Sequence, residues 1–250
     1  MKLKIWRNRL FGESEVLGFS SQRENYPAIN AASTSPTQKW RTSGVSAEWI
    51  SFDLGGPIAV SALGIFGSNL TAEAQVKLFL SANSDFSEAT ELTFSGSQVV
   101  EKLCALGAVY QKRYAKVQIT DAANSDGFLE IGSIWLAGLD LELQPTEFLE
   151  TLTSRDVYNE SYDAVGFFFR RPSLRSWTVS ARITSQDDLK AIQEIISENK
   201  TSVPFYIVSV DDTQILGQPI TTFSRFAETP EINYVYLNYW SVSAELKETR

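Results

Sequence analysis

Histidine is absent from these 250 residues, and cysteine and methionine occur once each. Without imidazole there can be no Ser–His or Cys–His nucleophile pair and no histidine metal ligand. One cysteine, Cys104, forms no intrachain disulfide and no cysteine-based metal site. Its setting, Leu103-Cys-Ala-Leu, reads as a small core hydrophobe. Carboxylate pairs, lysine and tyrosine are what remain for catalysis, and none stands in a recognisable motif. The glycines are scattered at turns, so there is no phosphate-cradling loop, and no cofactor and no metal are expected. The expectation is a protein that binds and does not turn over a substrate.

Long apolar runs are missing as well. No stretch approaches the roughly 20 residues that cross a bilayer, so no membrane insertion is expected. The basic start, Met1 to Arg9, is not followed by an apolar run with a small-residue cleavage site, and no secretory signal is expected. A net charge of −8 argues against nucleic acid and anionic membranes as partners, because both select a basic face. Lys2, Lys4, Arg7 and Arg9 form a local exception, read as charge protecting an exposed edge strand.

What is present is apolar and aromatic, at 43% and 12%, ample for packed cores in a chain long enough for two domains. The first 140 residues are short apolar segments punctuated by Gly, Ser, Asn and Pro, an all-β pattern. Trp49-Ile-Ser-Phe-Asp-Leu alternates and stops at Gly55-Gly56-Pro57, and Val60 to Phe66 follows. Gln75 to Ser81 puts Val76, Leu78 and Leu80 on one face; Val117 and Ile119 share a face in Tyr114 to Thr120. Such spacing predicts a sandwich or jelly roll.

Character changes near Gly138. Residues 139–155 are mixed and acidic, with Pro145, and are expected to be a linker or arm between domains at 1–138 and 156–250. The second domain shows one convincing helix, about 186–198. Ser185 is its N-cap, with Asp188 three residues on and Asp187 and Asp188 at the positive dipole end. Leu189, Ile192 and Ile196, widened by Ile195, form its apolar stripe. A long final strand, about Asn233 to Leu246, carries apolar residues on both faces, which predicts cover on both sides.

A series of motifs runs through the first half in order: Ser20-Ser, Tyr26-Pro-Ala-Ile-Asn-Ala, Lys39-Trp-Arg-Thr, Glu48-Trp-Ile-Ser-Phe-Asp-Leu-Gly, Ala62-Leu-Gly-Ile-Phe-Gly, Arg113-Tyr-Ala-Lys-Val-Gln-Ile and Gly127-Phe-Leu-Glu-Ile-Gly-Ser-Ile-Trp-Leu-Ala-Gly. With it, residues 14 to 138 resemble the discoidin family, the galactose-binding jelly roll of coagulation factors and carbohydrate-binding modules. The resemblance implies an N-terminal jelly-roll β-sandwich with Trp40, Trp49 and Trp135 as core. Relatives often carry an Asp-Gly-Asp-x-x-Thr stretch in a calcium site; here the place reads Ser33 to Lys39 without a carboxylate, against such a site. The sugar-contacting histidine of some relatives is missing. A glycan would meet the loops holding Asn25, Tyr26, Arg41, Asn69, Asn124 and Phe128. Tyr26 or Phe128 would stack on the sugar, and Arg41 and the asparagines would hydrogen-bond to it. The competing reading makes Tyr26 a core cap and the asparagines turn-formers. Glu130 reads as satisfying backbone groups.

From about Asp156 to Glu248 the order of elements resembles the tail-tube and distal-tail fold of long-tailed bacteriophages, a β-sandwich with one flanking helix that assembles into rings. That implies a mainly β, two-domain structural protein of a phage tail or tail tip, made in the bacterial host cytoplasm and carried in the virion. It would be a homo-oligomeric ring, with other phage tail proteins as partners and a host cell-surface glycan as a further one. Phe167, Phe168, Phe169, Tyr234, Tyr236 and Trp240 are the expected assembly interface, with packing inside their own domain as the alternative. A soluble lectin or adhesin with a spacer domain is the rival reading.

Overall fold

The computed structural model describes residues 2–10, 14–33, 37–153, 157–160, 166–169, 174–209, 221–235 and 239–248. In chain order the strands and helices are β1 (Leu3–Asn8), β2 (Glu15–Phe19), β3 (Trp40–Arg41), β4 (Glu48–Phe66), β5 (Gln75–Ser81), β6 (Thr90–Ser95), α1 (Gly96–Val99), β7 (Cys104–Thr120), β8 (Glu130–Ile131), β9 (Ser133–Leu143), β10 (Pro145–Thr153), β11 (Val157–Glu160), β12 (Gly166–Phe169), β13 (Leu174–Ile183), α2 (Gln186–Asn199), β14 (Phe205–Ser209), β15 (Thr221–Phe226), β16 (Glu231–Tyr234) and β17 (Trp240–Glu248). A 3-10 turn spans Ala28–Ala32. The named pairings are antiparallel, and the chain is mainly β. No helix among the described residues is long and apolar enough to cross a membrane.

The chain divides into two compact units, Arg7–Leu139 and Met1–Trp6 with Asp140–Arg250. In the first, strands run β9-β4-β7-β5-β6, with β2 also on β4 and a separate β3-β8 pair. Gly55-Gly56, expected to end a strand, instead lies inside β4, where the register shifts between Asp53 and Ile58. Gly55 takes φ 81°, a left-handed conformation that costs glycine little. The shift divides the strand's pairing. Glu15–Phe19 and Tyr114–Ile119 flank residues 48–53, while Ala62–Phe66 lie against Ser133–Ala137.

Alternation then fills the core. Ile50, Phe52 and Leu54, Val76, Leu78 and Leu80, and Ala115, Val117 and Ile119 are buried together with Trp40. Burying each large aliphatic or aromatic side chain contributes about 1.5–3 kcal/mol. Trp135 is buried too, edge-on to Phe66 at 5.9 Å. Trp49, expected in the core, is only half-buried: before the register shift it alternates with the buried Ile50 and Phe52, and its ring covers Gly18.

In the second unit the order is β10-β13-β17-β15-β14-β1, with β16 also on β17. Residues 1–6, expected in the first domain, lie here: Leu3 to Trp6 pair with Ser209 to Tyr206, and Leu3 and Ile5 join the second core. The expected linker is strand. Leu141 and Leu143 are buried between exposed or half-exposed acids, and Phe148 to Thr153 pair with Val179 to Leu174. Among the described residues α2 packs on an antiparallel sheet, with β11-β12 as a separate two-stranded pair, where a sandwich with one flanking helix was expected. Ser185 caps α2 by accepting from the Asp187 and Asp188 N–H groups, and Ile192 and Ile195 are buried against the sheet.

The expected long final strand is a hairpin: Asn233 pairs with Ser241 and Tyr234 with Trp240. Its two apolar faces belong to two strands, and the period-2 pattern continues across the reversal without a Gly or Pro to mark it. In β17 only one face is buried, through Val242 and Leu246.

Candidate functional site

The site forms at one loop end of the first unit, on the β3-β8 pair. Its register sets Trp40 opposite Ile131 and Arg41 opposite Glu130. Trp40 and Ile131 are fully buried, so Arg41 and Glu130 necessarily share the outward face. The Trp40 indole N–H donates to the Ser21 carbonyl at 2.9 Å and fixes the strand from behind. Glu48, nearly buried, ties the flanking segments: its carboxylate accepts from the Ser20 hydroxyl, from the Ser21 hydroxyl at 2.7 Å and from the Gly44 N–H at 3.1 Å. That network gives a physical role to the Ser20-Ser and Glu48 motifs.

The turn Arg23-Glu24-Asn25-Tyr26 lies alongside Arg41. Arg23 N–H donates to the Arg41 carbonyl at 2.8 Å, and Arg41 N–H to the Tyr26 carbonyl at 3.3 Å. Asn25 is exposed at φ 68°, the left-handed position that asparagine tolerates, so it makes the turn. Three predicted residues meet here. The Arg41 guanidinium lies 3.9 Å from the Tyr26 ring centre and 5.3 Å from that of Phe128. Its Nε donates to Glu130 Oε2 at 2.6 Å. Lys39 Nζ is 3.9 Å from Glu130 Oε1 and also donates to the Gly67 carbonyl. Arg23 completes the group, 4.3 Å over Phe128. The result is a stack of Tyr26, Arg41, Phe128 and Arg23, each exposed cation–ring contact worth about 0.5–1 kcal/mol.

Asn69 and Asn124 have their amides committed to building the loops. Asn69 Nδ2 donates to Asp126 Oδ2 at 2.8 Å and to the Phe128 carbonyl at 3.1 Å, while Oδ1 accepts the Glu130 N–H at 2.7 Å. Asn124 Nδ2 donates to the Asn69 carbonyl at 3.1 Å, and its Oδ1 accepts the Asp126 N–H at 2.9 Å, an Asx turn. Behind them the buried Asp121 accepts the Thr71 N–H at 2.8 Å and hydroxyl at 2.7 Å. These contacts hold Phe128 where the arginines reach it.

Sequence reasoning missed Arg23 and the pairing roles of Glu130 and Lys39. Glu130, read as serving backbone groups, is the counter-ion of Arg41. Arg23 carried a faint signal, standing three residues before Tyr26 across a turn. Only the β3-β8 register reveals that Glu130 faces Arg41. Among the described residues no group of three or more acidic or cysteine side chains is placed to hold a metal.

Of the expected assembly residues, Tyr234 is 65% exposed and stands edge-on to Trp240 at 6.0 Å. Trp240 is half-buried against the second core. Phe167, Phe168 and Phe169 have backbones paired with Asn159, Tyr158 and Val157. Their side chains, and all of Tyr236, lie outside the described residues.

No family model matches the chain, and no curated protein does. Solved structures match about half of it. A Ruminococcus gnavus GH29 fucosidase in complex with fucose is 16% identical, with a TM-score of 0.44, covering 53% of this chain and 27% of that one. The chain therefore corresponds to about a quarter of that enzyme's length. The family 32 carbohydrate-binding module of C. perfringens NanJ, in complex with galactose, is 15% identical with a TM-score of 0.41, covering 55% of this chain and 100% of the module. Chitosan-binding module 1 of a Paenibacillus sp. IK-5 chitosanase/glucanase is 19% identical, with a TM-score of 0.43 and coverage of 53% and 99%. None of these three is a phage tail protein.

Proposed function

We infer that the first unit is a carbohydrate-binding module and that the chain turns over no substrate. The observation that carries the reading is the stack of Tyr26, Arg41, Phe128 and Arg23 at the loop end. Sugar sites combine an aromatic surface for C–H faces with a few fixed polar groups that set orientation, and this surface supplies both. Arg41 is preorganised by its Nε bond to Glu130 and remains partly exposed, while Phe128 is held by the Asn69 amide. No cofactor is needed for such binding.

Affinity electrophoresis of the full chain through gels containing neutral and acidic polysaccharides tests the reading. Retardation by at least one polymer, lost in Arg41→Ala and in Phe128→Ala, is the expected result. Equal mobility in every gel overturns it, as would release of reducing ends from a retained polymer.

A second reading concerns the second unit. Leu149 and Leu152 are exposed on β10, which pairs on one side only among the described residues, and Tyr234 is exposed on β16. These favour assembly, in the ring of a phage tail or tail tip within the virion, with other tail proteins as partners. Mass photometry of the full chain separates this from a soluble lectin or adhesin. A discrete multimer supports the ring, and a monomer at micromolar concentration sinks it.

A further inference from the structure

The charges at the loop end are not equally compensated. Arg41 is paired with Glu130 at 2.6 Å, and Lys39 shares that carboxylate at 3.9 Å. Asp126 is held by the Asn69 amide. Arg23 alone has no carboxylate: among the described residues its guanidinium makes no ion pair or side-chain hydrogen bond, including none with Glu24 beside it, and its contact is the Phe128 ring at 4.3 Å.

Its backbone is nonetheless fixed. The N–H donates to the Arg41 carbonyl and the carbonyl accepts the Tyr26 N–H at 3.1 Å. The side chain is therefore anchored at its root and steadied on an aromatic face, with the planar fork of donors exposed. A fork of this kind matches the two oxygens of a carboxylate, and stacking reduces the rotamer entropy lost on binding.

We propose that Arg23 makes this site select sugars bearing a carboxylate, such as uronic acids, over their neutral counterparts. The inference rests on the carbohydrate-binding reading and names the ligand class of that same surface. Net charge points the other way: at −8 the chain repels long polyanions. Selection must therefore be local, and it is clearest for short oligosaccharides, in which one carboxylate meets one guanidinium.

The test is calorimetric titration of the full chain with matched di- and trisaccharides: galacturonate against galactose, glucuronate against glucose, mannuronate against mannose. The wild-type chain is expected to bind at least one acidic member about tenfold more tightly than its neutral partner, the scale of one charge-assisted bidentate contact. Arg23→Gln and Arg23→Ala should both bring the acidic-to-neutral affinity ratio down to near one, whatever they do to neutral-sugar binding, and Arg23→Lys should keep part of the preference. An acidic-to-neutral ratio near one, with neutral binding intact, overturns the charge inference and leaves the carbohydrate reading standing. So does an equal loss of acidic and neutral binding in Arg23→Gln, which would make Arg23 scaffold. Binding of neither set overturns both.

Discussion

The loop end of the first unit hangs on one amide, and Asn69 is the place to test that. Its side chain donates to the Phe128 carbonyl and to Asp126 and accepts from the Glu130 N–H at 2.7 Å. Asn69→Ala deletes all three. The two neutral bonds contribute about 0.5–1.5 kcal/mol each, and the one to Asp126 less than its charge suggests because it is exposed. A loss of about 2–3 kcal/mol follows, or roughly a 30- to 150-fold rise in exchange of the amides that open with this loop. Hydrogen exchange followed by mass spectrometry reads it on the peptide spanning 127–131, with residues 76–80 as the core reference. Asn69→Asp sharpens the test. It keeps the shape and the acceptor for Glu130 N–H but turns the donating edge toward the Phe128 carbonyl and the Asp126 carboxylate. It should open more readily than Asn69→Ala at neutral pH and recover part of the difference near about pH 4, where protonation restores a donor. Exchange of Asn69→Ala within about threefold of wild type would show that other contacts hold the loop. An aspartate variant better protected than the alanine one would show that the donor geometry is wrong.

Other expectations follow from the same coordinates. Gly64→Ala should lower the melting temperature, because a Cβ there would lie 2.7 Å from the Lys102 carbonyl oxygen and 2.8 Å from the Phe66 ring; overpacking of this kind costs about 1–3 kcal/mol. Gly56→Ala, with nothing within 4 Å, should leave thermal unfolding unchanged or raise it slightly. Arg113 donates to both Asp53 oxygens, and that contact holds the Asp53 carboxyl below its ordinary value of 3.8. A depressed carboxyl pKa stabilises the fold above the unfolded value and ceases to do so as pH falls through the folded one. Arg113→Gln should therefore destabilise the fold at neutral pH by an amount that fades below about pH 4 in thermal scans. Ser185→Ala should cost about 1 kcal/mol in the second unit's urea transition by removing the α2 cap.

The alternation of Val76, Leu78 and Leu80, the Ser185 cap and the α2 stripe were legible because each is a local rule, a period or a fixed offset that a segment obeys wherever it lies. The final hairpin was not. Tyr234 to Trp240 offers apolar residues without a Gly or Pro, and a reversal leaves no trace in a two-residue period. Trp49 fell to the wrong side for a related reason: size marks a core candidate, but parity with Ile50 and Phe52 decides which face it occupies.

At the loop end the division is sharper. Composition alone removed imidazole and intrachain disulfide chemistry, and the discoidin resemblance carried by the motif series brought Tyr26, Arg41 and Phe128 forward with Asn25, Asn69 and Asn124. What the sequence could not contain was their pairing, because Arg41 and Glu130 are 89 residues apart and meet through the register of two two-residue strands. Register, set by the burial of Trp40 against Ile131, decided which charges cancel and left Arg23 as the one without a counter-ion. A net charge can be counted along a chain, but a local field exists only once distances are fixed.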